Sequence, residues 1–349
     1  MKLEYNRFIK KGFGVILMRI SEIEDKLSLH GRCQIADGKI NMEWSGSGFS
    51  CNFKGSAVRI FWEKDSGGEV VYVRCEVDGQ AQKTAILGSN EVLVVDDLEE
   101  GEHSLTLLRL SEYFSPKDSL NITEIKIDSD NALAFLPAPE KKKRRIDFYG
   151  DSITNGWHVH ARQDYEGDTY CNCYNDFSSS YAYLTAQEFD AEAFVCAVSG
   201  HGIVSTWDKD RSNPMKTFYK MKSRSLPIEM DFSEKPDLIV IALGTNDCSG
   251  GVSEQEMKAG ITEFIKMLRR DAPDTEIIWT YGMINEGYIP MMKALFDDIG
   301  KTDKHVSFLP IEHVKSEENE VGGTGHPNKK GQRRIADELI NYVRQRMSR

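Results

Sequence analysis

The apolar positions of this chain change rhythm near residue 140. Before that point, brief β-branched and aromatic runs such as FSCNFKG, SAVRIFWE, EVVYVRCEVDG, HSLTLLRL and LNITEIKID often alternate apolar with polar residues. Turn signals separate them at Asp37-Gly38, Ser66-Gly67-Gly68, Asp78-Gly79 and Glu100-Gly101. Many short strands with such punctuation predict an all-β jelly roll or sandwich over residues 1–138. A leading strand and a short helix are expected within residues 1–30. Pro137 and Pro139 mark the junction, because proline cannot donate to a sheet ladder.

Beyond the junction, strands alternate with helices. RIDFYG, EAFVCAVSG, DLIVIALG, TEIIWTYGM and VSFLPI read as strands. DLIVIALG is almost continuously apolar, as a strand covered on both faces should be. The segments SSYAYLTAQEF, EQEMKAGITEFIKMLRR, MMKALFDDIG and KKGQRRIADELINYVRQRM read as helices. In the second of these, Met257, Ile261, Phe264, Ile265 and Leu268 fall on one helical face. The pattern predicts a five-stranded parallel sheet with helices on both faces over residues 139–349.

Composition narrows the function classes. A chain of 349 residues accommodates both domains. Its net charge of -11 argues against a nucleic-acid partner, which needs a broad basic surface. The run Lys141–Arg145 is the local exception and reads as a solvated edge of the junction. No apolar stretch approaches the length of about 20 residues that a membrane span needs. Val15–Met18 is too short for a signal-peptide core, so a cytoplasmic protein is expected unless a leader was removed. The seven cysteines include no CxxC pair and are expected to be free reduced thiols. No metal or organic cofactor is expected, and the oligomeric state is not legible.

The chemistry is expected beyond the carboxyl ends of the parallel strands, where open sheets of this kind bind ligands. Three polar-glycine clusters fall there: Gly150-Asp151-Ser152, Ser199-Gly200-His201-Gly202 and Gly244-Thr245-Asn246-Asp247. A fourth, Gly323-Thr324-Gly325-His326-Pro327, lies between the last strand and the last helix. Each alone is an ordinary turn or cap. Together they hold a serine nucleophile, a histidine base and donors for an oxyanion. The backbone N–H groups of Ser152 and Gly200 and the Asn246 amide are the expected donors, with Gly202 as a second glycine candidate. Asp151 and Asp247 are expected to brace loops. Of the other histidines, His201 is the one expected to line the pocket, and the rest read as structural or exposed.

The blocks FYGDSITNG, VSGHGI, ALGTNDCSG and GTGHPNKKGQRRIADEL resemble those of SGNH (GDSL-type) hydrolases. With the upstream β-domain, the chain is similar to carbohydrate esterase family 2. The resemblance implies a flavodoxin-like SGNH domain joined to a jelly roll. It implies a carboxylic ester hydrolase, similar to acetyl xylan esterases, acting on acetylated xylan or glucomannan oligosaccharides. By position Ser152 is the nucleophile and His326 the base. The alternatives are an SGNH lipase or thioesterase on longer acyl esters, and a carbohydrate-binding protein without turnover.

One departure matters. The SGNH pattern places an aspartate three residues before the histidine, and position 323 is glycine. Some members of carbohydrate esterase family 2 work with a Ser–His dyad whose imidazole N–H is held by a backbone carbonyl, and the resemblance implies the same here, with a carbonyl within Glu320–Thr324 as acceptor. The other option is a carboxylate from Glu317, Glu318 or Glu320. Trp157, His201 and Trp207 are candidate substrate contacts. Trp44 and Trp62 are open to either stacking or core packing. Tyr165, Tyr170 and Tyr174 fall in an insertion, about residues 156–177, that is a candidate cleft lid.

Overall fold

The computed structural model describes residues 14–89, 92–130, 133–165 and 171–347. Tyr170 and the first 13 residues lie outside them. Among the described residues, the N-terminal half holds eleven strands: β1 (Gly14–Arg19), β2 (Leu27–His30), β3 (Gln34–Ala36), β4 (Lys39–Met42), β5 (Gly48–Gly55), β6 (Ala57–Glu63), β7 (Val71–Val77), β8 (Gln80–Ile86), β9 (Val92–Val95), β10 (Gly101–Arg109) and β11 (Leu120–Ser129). They form two antiparallel sheets. One runs β3-β4-β11-β6-β9, with β1 also on β11, and the other runs β2-β5-β10-β7-β8.

The alternation read from the sequence sets which face is inside. In β7, Val71, Val73, Cys75 and Val77 are buried while the residues between them are half-exposed. They meet Ile60, Trp62, Ile122, Ile125 and Ile127 of the facing sheet in one apolar core. Trp62 is part of that core, with its indole N–H on the Gly88 carbonyl at 2.9 Å. The expected leading strand is β1. The expected short helix is two 3-10 turns at residues 20–26, followed by β2.

The C-terminal half alternates β12 (Arg144–Gly150), α1 (Ser152–Asn155), α2 (Tyr181–Glu188), β13 (Ala191–Ala197), β14 (Leu238–Ala242), α3 (Thr245–Ser249), α4 (Glu254–Asp271), β15 (Glu276–Tyr281), α5 (Ile289–Thr302), β16 (Val306–Pro310) and α6 (Lys329–Met347). The parallel sheet has the order β13-β12-β14-β15-β16, the flavodoxin-like arrangement. Tyr149, Ile241 and Trp279 face α4 and α5. Phe148, Val240 and Ile278 face α2 and α6. The short helices α1 and α3 were not expected from periodicity, since one turn carries no repeat. The basic run does not form a free linker, because Arg144 and Arg145 already belong to β12.

Segments of the two halves interlock. Trp44, just after β4, is 2% exposed and packs in the core of the parallel sheet. Its ring lies 5.6 Å from the Arg32 guanidinium and 5.0 Å from that of Arg224. Two buried carboxylates also cross the interface. Glu43 accepts from Ser223 Oγ at 2.7 Å and from the Ser225 hydroxyl. Glu112 accepts from the Ser199 N–H at 2.7 Å.

One correction concerns cysteine. Cys171 and Cys173 are joined by a disulfide, not free thiols, and the turn between them brings their Cα atoms to 5.4 Å, within the usual range. Cys33, Cys51, Cys75, Cys196 and Cys248 are free.

Gln332 on α6 fastens the last helix to the start of the sheet. Its Oε1 accepts from Tyr181 N at 2.8 Å and its Nε2 donates to Ile153 O at 3.0 Å. The side chain is fully buried. Gln332→Ala strands both backbone groups, so it should destabilise the protein by about 2 kcal/mol. A lowered midpoint of thermal unfolding is the expected reading, and an unchanged one contradicts it.

Candidate active site

β12 ends at Gly150, where a Cβ would lie 2.0 Å from Thr154 Oγ1, so only glycine fits this turn. Asp151 caps α1 by accepting from Ile153 N at 3.0 Å. Ser152 is the first residue of that helix, where N–H groups have no acceptor within the helix. His326 comes from the loop before α6. Its Nε2 lies 2.8 Å from Ser152 Oγ. The loop that carries it is closed by Gly322 N donating to His326 O at 2.6 Å. It is anchored by the buried Glu320, which pairs with Arg334 at 2.8 Å.

The far ring nitrogen decides how the imidazole is held. His326 Nδ1 lies 3.2 Å from the Thr324 carbonyl and 3.1 Å from the Thr324 hydroxyl. For Nε2 to take a proton from Ser152, Nδ1 must carry the hydrogen and donate it to these oxygens. A backbone carbonyl at residue 324 thus stands where the family pattern has an aspartate. Glu320 is spent on Arg334 and on Lys315 N at 3.1 Å. Glu318 faces Lys315 at 3.5 Å.

Thr324 has φ +54° and ψ 31°, a left-handed conformation that a β-branched residue rarely adopts. There its hydroxyl also meets His158 Nδ1 at 3.1 Å and donates to Gly323 O at 2.8 Å. The hydroxyl so receives two ring N–H groups and gives its one hydrogen away, which uses its full capacity. Burial, with His158 nearby, pushes the His326 pKa down to about 4, so the ring is neutral at pH 7. The Thr324 carbonyl falls within the expected Glu320–Thr324 stretch, whereas sequence reasoning missed the Thr324 hydroxyl and His158, although His158 stands only two residues beyond the block that carries Ser152.

The donor side is formed at adjacent strand ends. Gly200 has φ +78°, and a Cβ there would lie 2.7 Å from Trp207 Cδ1. Gly202 does not compete with it as an oxyanion donor, because its N–H is bonded to Ser205 O at 2.9 Å. Asn246 Nδ2 donates to Asp151 Oδ2 at 3.1 Å and to His201 O at 3.0 Å. Both amide hydrogens are therefore engaged, and donation to an oxyanion requires sharing one of them. Asp247 accepts from the N–H groups of Ile203, Val204 and Ser205 at 2.8–3.0 Å, bracing the loop after β13. Burial raises the Asp151 pKa to about 7, with Asp247 and Glu112 adding to the shift.

The aromatic residues divide. Trp157 is 7% exposed, stacked on His158 at 4.8 Å and edge-on to Phe114 at 5.7 Å. It backs the site and offers no open face for stacking, contrary to its expected role as a substrate contact. Trp207 is 59% exposed, the one tryptophan of five that shows a large surface. His201 is half-buried, edge-on to Phe218 at 5.6 Å. Tyr165 and Tyr174 meet at 4.8 Å beside His158. Among the described residues, no group of three His, Cys, Asp or Glu side chains is placed to hold a metal.

Residues 148–334 match the profile of the GDSL-like lipase/acylhydrolase family, and residues 29–139 match that of the carbohydrate esterase 2 N-terminal domain. The chain belongs to the GDSL-like lipase/acylhydrolase family. It is 27% identical over 253 residues to an acetylxylan esterase/glucomannan deacetylase of Cellvibrio japonicus, covering 71% of this chain and 68% of that one. It is 28% identical over 243 residues to the cellulase/esterase CelE of Acetivibrio thermocellus, covering 68% of this chain and 29% of that longer one. An acetyl xylan esterase from the rumen bacterium Butyrivibrio proteoclasticus shares the fold with a TM-score of 0.85 at 24% identity, over 96% of this chain and 99% of that one. A family two carbohydrate esterase from Clostridium thermocellum, solved with cellohexaose, does so with 0.81 at 22%, over 92% and 99%.

Two outcomes follow for this family member. The acidic fall of kcat/KM should have its midpoint at about pH 4, where His326 takes a proton, and not near the ordinary histidine value of about 6.5. A midpoint near 6.5 contradicts the lowered imidazole pKa. Thr324→Val keeps the carbonyl and removes the hydroxyl. It should lower kcat about fivefold, the equivalent of one hydrogen bond of about 1 kcal/mol, while Thr324→Ser should not.

Proposed function

We propose that this protein is a serine esterase that removes O-acetyl groups from acetylated hemicellulose-derived oligosaccharides. The observation that carries the reading is the 2.8 Å contact of His326 Nε2 with Ser152 Oγ at the carboxyl ends of the parallel strands. The matches to acetylxylan esterases, over both domains, support the acetyl group and the sugar.

Ser152 Oγ attacks the acetyl carbonyl while His326 Nε2 takes its proton. The negative charge on the carbonyl oxygen is met by the N–H groups of Ser152 and Gly200 and by the Asn246 amide. Collapse of the tetrahedral intermediate breaks the ester C–O bond. His326 returns the proton to the departing sugar hydroxyl, leaving an acetyl group on Ser152. Water, deprotonated by His326, then attacks that acetyl group. Acetate leaves and Ser152 recovers its proton.

Among the described residues, the imidazolium formed in each step has no carboxylate partner. The Thr324 carbonyl and hydroxyl receive its Nδ1–H instead. A triad that loses its acid keeps part of its catalysis, so this arrangement is competent chemistry. Trp207, exposed beside Gly200, is the aromatic surface best placed to meet a sugar ring. A cytoplasmic enzyme of this kind would act on imported oligosaccharides rather than polymeric xylan. Recovery of the protein from culture medium instead of lysate would overturn that placement.

Ser152→Ala should lower p-nitrophenyl acetate hydrolysis by at least about 10³-fold, and His326→Ala by a similar factor. Release of acetate from acetylated xylo-oligosaccharides should fall in parallel. Equal rates for wild type and Ser152→Ala would sink the proposal. A strong preference for octanoyl over acetyl esters would move it to the longer-chain lipases.

A further inference from the structure

The direction of the Gly200 N–H is set by its peptide plane. A trans peptide holds its C=O and N–H antiparallel, so whatever fixes the Ser199 carbonyl aims the Gly200 N–H. Ser199 O lies 3.1 Å from His201 Nδ1, and the His201 carbonyl is in turn held by Asn246 Nδ2 at 3.0 Å. On its other side, Ser199 is gripped by a residue of the β-sandwich. Its N–H donates to Glu112 Oε1 at 2.7 Å and its hydroxyl donates to Glu112 Oε2.

Glu112 follows β10 and is 3% exposed. Its own backbone is fixed by the buried Arg109, whose guanidinium donates to the carbonyls of Glu112 at 2.9 Å, Ser111 at 2.9 Å, Met42 at 2.8 Å and Asp118 at 2.6 Å. Burying a carboxylate is costly unless charge-assisted hydrogen bonds repay the lost hydration. Here each oxygen accepts a hydrogen bond from Ser199, and that residue adjoins the glycine donor. The geometry points to Glu112 as a positioning residue for catalysis, a carboxylate lent by the β-sandwich that aims the Gly200 N–H at the oxyanion. The inference rests on the esterase reading above and assigns the β-domain a part in the chemical step.

The interface supplies its own control. Glu43 is an equally buried carboxylate of the β-domain, but it bonds Ser223, Ser225 and the N–H of Arg224, none of them in the four blocks. Both carboxylates dock the domains, and only Glu112 touches an oxyanion loop.

The test compares the full-length wild type with Glu112→Ala, Glu112→Gln, Ser199→Ala and Glu43→Ala. The readouts are p-nitrophenyl acetate kinetics, thermal midpoints and affinity for methylboronic acid, which adds to the serine as a tetrahedral mimic. Glu112→Ala should lower kcat about 10- to 100-fold, below the loss of a whole oxyanion donor, with KM within twofold. Methylboronate affinity should weaken in step. Glu112→Gln should recover most of the loss, because its Oε1 still accepts the Ser199 N–H. Ser199→Ala takes one donor from the buried Glu112 but keeps the Ser199 N–H, so it should lower the thermal midpoint less than Glu112→Ala does and lower kcat severalfold, and it carries the test if Glu112→Ala does not fold. Glu43→Ala should lower the midpoint and leave kcat and boronate affinity within twofold.

Unchanged kcat in both Ser199→Ala and a folded Glu112 variant overturns the inference. So does an equal kcat loss in Glu43→Ala and Glu112→Ala, which would reduce Glu112 to docking. An active wild type with those results leaves the esterase reading standing, whereas an inactive wild type overturns both.

Discussion

A serine at the end of the first parallel strand has a base only if a histidine 174 residues further along is held within hydrogen-bond reach. Much of the catalytic half serves that distance. The strand order places β12 between β13 and β14, so Ser152, Gly200 and Asn246 emerge from neighbouring strand ends. The last helix returns across the sheet to lie against α2, and Gln332 ties it to Ile153 and Tyr181. Glu320, paired with Arg334, pins the loop that carries His326 onto the same helix. Each anchor is buried, where a hydrogen bond is stronger and its loss costs more.

The same economy of space explains the residues that break local rules. Gly150 and Gly200 are glycine because Thr154 and Trp207 occupy the place of a side chain. Thr324 accepts a left-handed backbone, a cost of about 1 kcal/mol or more, and in return its hydroxyl reaches both His326 and His158. At position 323, where the family pattern has an aspartate, stands glycine, and two oxygens of Thr324 face the imidazole Nδ1 instead. A carboxylate there would raise the imidazole pKa. Without it, burial keeps the ring neutral and ready to accept.

The β-sandwich is bound to this machinery by polar groups as much as by apolar ones. Trp44 has the guanidinium groups of Arg32 and Arg224 over its ring, and the carboxyls of Glu43 and Glu112 accept hydrogen bonds from the catalytic half. Removing one partner while the interface stays packed would leave a buried polar group unsatisfied, a cost of about 1–3 kcal/mol. Phe114 and Glu112 leave the same loop in different directions, one to back Trp157 and the other to hold Ser199.

The sequence by itself determined the two architectures and the four blocks. Strand alternation, helical spacing and glycine-rich turns are local signals, and each block carries its own residues. Set against the family pattern, the sequence also exposed the missing aspartate and left either a carbonyl within Glu320–Thr324 or a carboxylate from Glu317, Glu318 or Glu320 to replace it. What it did not show depends on residues distant in the chain. Only the tertiary structure decided that Thr324 is that carbonyl, that His158 joins it, and that Gly202 already spends its N–H on Ser205. It also separated the tryptophans, burying Trp44, Trp62 and Trp157 and exposing Trp207. Glu112 had no sequence signal at all, since a lone glutamate after a strand resembles any surface carboxylate. Its meaning comes from burial against Ser199, and burial is a property of the packed chain, not of the neighbouring residues in the sequence.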